Sequence, residues 1–176
     1  MGVIEGHLNR DLCVMHTLAK SYPSMNGYTI RSHEILMAQN KTDGVTSFAL
    51  TSPYYRGIYE NDEFTMVDGV EYLRTPLPPS NKESTQSKIR ASLGRKKWLH
   101  TILSKIYSPF YLCSNLIKEW SLMNRFQRRV EEVIRERDPS VIHAHTPFKV
   151  GLPSMRAAKK LQKPFVYEVR GVWEES

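Results

Sequence analysis

The chain predicts an α/β fold, a Rossmann-like, doubly wound and mainly parallel sheet, and three observations carry that expectation. Between Val141 and Val169 an apolar run, a helical stretch and a β-branched, aromatic run succeed one another within about thirty residues, the order of one βαβ unit. The same order appears at the start, between Leu12 and Thr51. Pro, Gly, Asn and Asp stand at the joints rather than inside the runs. Parallel strands with right-handed crossovers leave their ligands beyond the carboxyl ends of the strands. The loop after the first strand and those at His145 and Arg170 are therefore expected to open on one edge as a cleft.

Residues 1–10 carry no pattern and read as a leader, with the domain expected over 11–176. Leu12 to Leu18 (LCVMHTL) is a first strand, and Ser21 to Tyr28 is a loop by its Pro, Ser, Asn and Gly. Thr29 suits a helix cap, and Ile30, His33, Ile35, Leu36 and Met37 supply the inward positions of a helix to Asn40. Asp43-Gly44 ends it before a second strand, Val45 to Thr51. Ser52 to Asp62 is a polar loop rich in tyrosine, and Asp68-Gly69 joins Phe64–Val67 to Val70–Arg74 as a two-residue hairpin. Thr75 to Ser80 breaks the chain, and 76–92 is the stretch nearest to low complexity. Trp98, Leu99, Ile102, Leu103, Ile106 and Tyr107 mark a helix up to Pro109. Leu116, Trp120, Met123, Phe126, Val130, Val133 and Ile134 mark a second, from Leu112 to Arg137. Asp138-Pro139 stops it, Val141 to Ala144 is a strand, and His145-Thr146-Pro147 is a turn. Leu152, Met155, Ala158 and Leu161 line one face of a last helix, and Phe165 to Val169 is the closing strand.

A length of 176 residues suits a single α/β domain with a sizeable core and is short for a two-domain enzyme. Two cysteines, Cys13 and Cys113, make neither a disulfide framework nor a metal cluster, so a reducing, cytoplasmic setting is expected. The amino terminus lacks the apolar core of a signal peptide, and Gly6 stands where a myristoylation signal requires Ser or Thr. No apolar run is long enough to span a bilayer. The net charge of +7 is concentrated: residues 77–137 hold 13 Lys or Arg against five Glu, which leaves the rest of the chain at −1. Within that basic helical segment, Trp98, Leu99, Ile102, Leu103, Ile106, Tyr107, Phe110 and Tyr111 lie among Arg90, Arg95, Lys96, Lys97 and Lys105. This composition fits either an interfacial helix on anionic lipid or a solvated face over an ordinary core stripe. No recognised nucleic-acid-binding motif is present, so no nucleic-acid partner is expected.

Among candidate functional residues, His143 and His145 alternate along a strand and share a face. Two imidazoles at that spacing can bind a metal, yet no third ligand stands nearby in the sequence, and no metal is assigned. His143, on the strand, is the stronger candidate for a core histidine, and His145, in the turn, for a functional one that exchanges hydrogen bonds with a sugar-like hydroxyl. Asn26-Gly27-Tyr28 is either a plain turn with Gly27 at positive φ or a place where a phosphate-bearing ligand approaches free amides at a helix start. Arg31 either reinforces such an anion site or sits on the solvated face. Arg170, Trp173 and Glu174 are either a frayed terminus or a carbohydrate site that combines ring stacking with forked hydrogen bonds. The chain ends soon after Arg170, inside what reads as a functional loop, so a further segment is expected.

Three series of residues together resemble the amino-terminal domain of family 4 glycosyltransferases, the retaining enzymes of GT-B fold. They are Asn26 to Leu36 (NGYTIRSHEIL), Leu50 to Pro53 followed by Val67 to Pro76 (VDGVEYLRTP), and Val141 to Pro147 (VIHAHTP) with Gly151 to Pro153 and Val166 to Glu174 (VYEVRGVWE). The likeness is strongest to the bacterial exopolysaccharide-associated subgroup and spans most of the chain, with 81–137 the least specific part. It implies the acceptor-side half of an enzyme that moves a sugar from a nucleotide-sugar donor to a glycan or lipid-linked acceptor without a required metal. It implies that His145 contacts the donor sugar and that Asn26 and Gly27 lie near the donor phosphates. The family's donor-binding domain, with its spaced pair of glutamates, has no counterpart here. The resemblance therefore implies a missing carboxy-terminal domain or partner chain that brings the nucleotide-sugar, no cofactor held by this chain alone, and no transfer by this polypeptide unaided. A truncated, non-enzymatic binding or scaffold domain is the alternative. Because many family members act on lipid-linked acceptors at the inner leaflet, the resemblance also implies a peripheral place on that membrane face.

Overall fold

The computed structural model describes residues 12–55, 64–76 and 97–170, with the side chains of the long helix described from residue 116 onward. The leader, residues 56–62 of the tyrosine-rich loop, the 77–92 stretch, the aromatic and basic side chains proposed for lipid contact, Cys113, Trp173 and Glu174 all lie outside the described residues. The chain divides into a unit made of Met1–Pro76 with Met123–Ser176 and a second unit, Leu77–Leu122.

The first unit holds a six-stranded sheet of order β3-β4-β2-β1-β5-β6, made of β1 (Leu12–Leu18), β2 (Val45–Thr51), β3 (Phe64–Val67), β4 (Val70–Arg74), β5 (Val141–His145) and β6 (Phe165–Glu168). Only the β3–β4 pair is antiparallel, and β4 runs parallel to β2, so the hairpin adds a fifth parallel strand. Asp68 (φ 49°) and Gly69 (φ 77°) both take left-handed backbone, as a two-residue hairpin of this hand requires.

The described residues form three helices, α1 (Gly27–Asn40), α2 (Lys97–Arg137) and α3 (Phe148–Lys160), and α1, α3 and the part of α2 from Met123 onward flank the sheet. Phe126, Val130, Val133 and Ile134 of α2 and Val150, Ala157 and Ala158 of α3 pack with Met15, Phe48, Leu50, Leu73 and Ile142. A second cluster, Leu18, Leu36, Ala49, Val70 and Tyr72, sits beneath α1. The two clusters draw on alternate residues of the same strands, which is how a strand buried on both faces divides its side chains. Arg74, 1% exposed, donates to Ser21 Oγ (2.8 Å) and Tyr22 O (2.9 Å) and so ties the β1–α1 loop to the end of β4.

The element boundaries differ from the sequence reading at four places. Asn26, not Thr29, caps α1: its Oδ1 accepts from the amides of Tyr28 (3.0 Å) and Thr29 (3.1 Å), while Thr29 Oγ1 accepts from the Asn26 amide (2.9 Å) in a reciprocal box. The helix thus starts at Gly27, which is absent from the positive-φ residues and is no turn glycine. Asn26→Ala should cost about 1 kcal/mol; a denaturation midpoint equal to wild type would deny the cap that role. The region 97–137 is one helix of 41 residues that passes through Pro109. A proline inside a helix removes one hydrogen bond and bends the axis without having to end it. Met123, Phe126, Val130, Val133 and Ile134 are buried as the periodicity requires, but Leu116 (64%) and Trp120 (52%) are exposed. His145 closes β5 rather than opening a turn, because its ladder partner Glu168 extends the pairing. Lastly, α3 starts at Phe148, four residues before the sequence reading, and carries Pro153 within it. A Cβ on Gly151 would come within 2.8 Å of the Tyr167 ring, so the glycine lets α3 cross β6 closely.

Candidate functional site

Strand register assembles the site. His16 of β1 pairs with His143 of β5, and His145 of β5 pairs with Glu168 of β6. With side chains alternating, all four face α1, whose Tyr28, Arg31, Ser32 and Gln39 meet them or their partners.

The contacts form one chain. The Gln39 side-chain amide lies 2.7 Å from His16 Nε2, His16 Nδ1 lies 2.8 Å from His145 Nε2, and His145 Nδ1 lies 2.9 Å from Glu168 Oε2. His143 Nε2 stands 3.4 Å from the same Glu168 oxygen, and its ring stacks on that of His145 at 4.4 Å. Glu168 is gripped by Arg170 through Nε (3.0 Å) and Nη2 (3.2 Å) and by Arg31 through Nη2 (3.1 Å). Arg170 also donates to Ser32 Oγ (2.6 Å) and to the Tyr28 carbonyl (3.3 Å), with its guanidinium 5.1 Å over the Tyr28 ring.

Burial alone would raise the Glu168 pKa, but the hydrogen bonds and charge of Arg170 outweigh it and keep the carboxyl ionised. His16 Nε2 donates to Gln39 Oε1, so the Nδ1 of the neutral ring accepts from His145 Nε2–H. His145 Nδ1, 2.9 Å from Glu168 Oε2, is buried and has no well-formed hydrogen bond among the described residues.

All three imidazoles are held neutral. Burial, then the neighbouring His143, pushes His16 down to about 4. Burial and the Arg170 guanidinium hold His145 far below the ordinary range, and burial lowers His143 against the pull of Glu168. Between pH 6.5 and about 4 the unfolded chain therefore binds protons on these rings that the folded chain refuses. Stability is full above pH 6.5 and falls as the pH drops through that window, by on the order of 3 kcal/mol from His16 alone. Urea denaturation from pH 7.5 to 4.5 measures it. A flat profile for wild type, or the same fall in a His16→Asn variant, would contradict the assignment.

His16, His143 and His145 also bring ring nitrogens within 4.8 Å of one another, so the third imidazole that the local sequence did not supply comes from β1. The arrangement spends those nitrogens differently. His16 Nδ1 and His145 Nε2 face each other at 2.8 Å, closer than the roughly 3.3 Å that two nitrogens of one tetrahedral zinc ion require, and two guanidiniums repel a cation.

The structure gathers His143, His145, Arg31, Arg170 and Tyr28 of the residues singled out in the sequence. It places Asn26 and Gly27 at the helix cap, where the Tyr28 and Thr29 amides that an anion would use are taken by Asn26 itself. His145 is fully buried, whereas the His143 side chain is 19% exposed, so the turn histidine of the sequence reading is the enclosed one. His16, Gln39 and Glu168 were missed. A histidine and a glutamate inside otherwise apolar strands, LCVMHTL and FVYEV, were the available signals.

No curated protein matches the chain. Among solved structures it is similar to the carboxy-terminal domain of a hydrogenase from Pyrococcus furiosus, at 11% identity over 90% of this chain and 92% of that one, with a TM-score of 0.45. A UDP-N-acetylglucosamine 2-epimerase matches at 11% identity over 89% of this chain and 33% of that one (TM-score 0.48). The UDP-GlcNAc 2-epimerase of Methanocaldococcus jannaschii matches at 10% identity over 89% and 31% (TM-score 0.45). The chain thus spans about a third of the length of either epimerase. The glycosyl transferase 4-like domain matches residues 26–176, from the cap of α1 past the site residues on β5 and β6, and the chain belongs to that family.

Proposed function

We propose that this domain serves the acceptor side of a retaining sugar transfer from a nucleotide-sugar donor to a glycan or lipid-linked acceptor, in the manner of the exopolysaccharide-associated enzymes. The observation that carries the reading is the neutral His145, set at the carboxyl end of β5 with a buried ring nitrogen that has no hydrogen-bond partner among the described residues, beside a carboxylate clamped by two arginines. The free nitrogen of a neutral imidazole so placed accepts from a sugar hydroxyl near neutral pH. Arg170 and Arg31 keep Glu168 charged. The nucleotide is assigned to a second, donor-binding domain or chain, with no metal required. Calorimetry of the purified chain with UDP- and GDP-sugars tests the division of labour. Weak or absent binding is expected, and tight donor binding by this domain alone would overturn it.

The complete burial of His16 and His145 favours one other reading, a non-enzymatic binding domain in which the imidazole chain is a structural network. Transfer assays on His145 variants, treated in the Discussion, separate the two.

We further propose a peripheral position on an anionic, cytoplasmic membrane face. No helix among the described residues is long and apolar enough to cross a bilayer. On α2, Leu116, Ile117 and Trp120 are all more than half exposed, next to Lys118, and supply apolar anchors beside positive charge. Co-sedimentation should show binding to anionic vesicles that weakens at high salt. Equal recovery in the supernatant with anionic and neutral lipid, at either salt, would refute it.

A further inference from the structure

Away from the histidine cluster, a cavity of about 320 Å³ opens where β4 ends against the sheet-packed part of α2. Thr75, Pro76, Arg125, Arg128, Arg129 and Glu132 line it, three guanidiniums against one carboxylate. Most charges nearby on α2 are spent within the chain: Glu131 takes Lys160 (2.7 Å) and Arg135 (3.3 Å), and Arg137 takes Glu71 (2.8 Å). Of the cavity's three arginines, only Arg129 has an ion pair of this kind among the described residues. Arg125 donates through Nε to the carbonyl of Pro76 (2.9 Å), a neutral acceptor that positions the side chain without cancelling its charge. Arg129 reaches Glu132 with Nη1 alone at 3.3 Å, and that carboxylate is half exposed. Arg128 makes no ion pair among the described residues.

A second observation is independent of the charge count. The Thr75 hydroxyl and the Arg129 Nε–H are both buried and find no hydrogen-bond partner among the described residues, and Thr75 is only 5% exposed. Buried donors of this kind cost free energy unless something accepts from them. Both residues line the same cavity. We propose that the cavity is an oxyanion site for a phosphate group, in which Arg125, Arg128 and Arg129 supply charge-assisted donors and Thr75 a hydroxyl. Phosphate fits better than a carboxylate because three guanidinium forks around one cavity match an anion with several oxygens and more than one negative charge. The site is separate from the His145 cluster and does not depend on the reading given to that cluster.

The test is calorimetric titration of the whole chain with inorganic phosphate, then with glycerol phosphate, beside co-sedimentation with phosphatidylglycerol or phosphatidylcholine vesicles. Saturable phosphate binding is expected. Arg128→Gln, on the exposed arginine, should weaken it several-fold without loss of fold, and Arg128→Gln with Arg129→Gln at least tenfold, while His145→Ala leaves it unchanged. If the arginine variants also lose phosphatidylglycerol vesicles, the phosphate comes from a lipid headgroup. If they lose only the soluble phosphates, it comes from a free phosphoryl compound. No saturable phosphate binding, or binding equal in the arginine variants and wild type, would overturn the site.

Discussion

A transferase assembled with its donor-binding half should lose about 10²–10⁴-fold in turnover when His145 becomes alanine, the usual contribution of a side chain that exchanges protons or hydrogen bonds with the reacting groups. The loss should fall mainly on kcat, because the proposed contact is with the sugar being transferred and not with the nucleotide. His145→Gln should recover part of it, since an amide oxygen can still accept from a hydroxyl, whereas His145→Phe should not, although phenylalanine fills the space. That pattern separates the roles. A network that only supports the fold would follow stability, with Ala, Gln and Phe ranked by denaturation midpoint and no matching order in kcat. Turnover in His145→Ala equal to wild type would remove the residue from the chemistry.

Glu168→Ala should destabilise the domain by about 3 kcal/mol, toward the low end of what breaking a buried pair costs. Arg170, with its side chain 6% exposed, would keep its charge and lose its only carboxylate among the described contacts, and His145 and His143 would lose the anion that faces them. The discount reflects the carboxylate's own 20% exposure and the exposed position of Arg31. Arg31→Ala is the control and should cost less than about 1 kcal/mol. Equal urea midpoints for the two variants would mean that the buried half of the clamp carries no more than the exposed half.

The fold could be read from the sequence because its signals are local. Strand periodicity marked Leu12–Leu18 and Val45–Thr51 at their observed limits, and Asp68-Gly69 identified its hairpin. Errors arose where a contact distant in sequence decided the outcome. His145 looked like a turn residue beside Thr146-Pro147 until β6 paired with it, and Glu168 looked like one polar residue in a strand until two arginines closed on it. His16 and His145 are 129 positions apart, and nothing in either neighbourhood announces that their rings will meet. Strand order creates that juxtaposition, and order is settled by the whole sheet. Asn26 was misjudged for the opposite reason: Thr29 is a good cap residue, and only the reciprocal bond shows that it serves as third residue to the asparagine.

The sheet order also sets how the cluster comes apart. Glu168 closes β6, a four-residue strand that is paired, among the described residues, on one side by β5 alone, with Val166 and Tyr167 on it substantially exposed. His16, by contrast, sits on β1, which has partners on both sides. Local opening begins where few buried contacts and few ladder bonds must break. The carboxylate end of the chain of contacts therefore lies on the segment that opens most cheaply, and the imidazole end on one that opens only with the domain. Amide exchange would register this as weak protection across Phe165–Glu168 and near-global protection across β1, so that Glu168 can leave its arginines and return while the three rings stay in place.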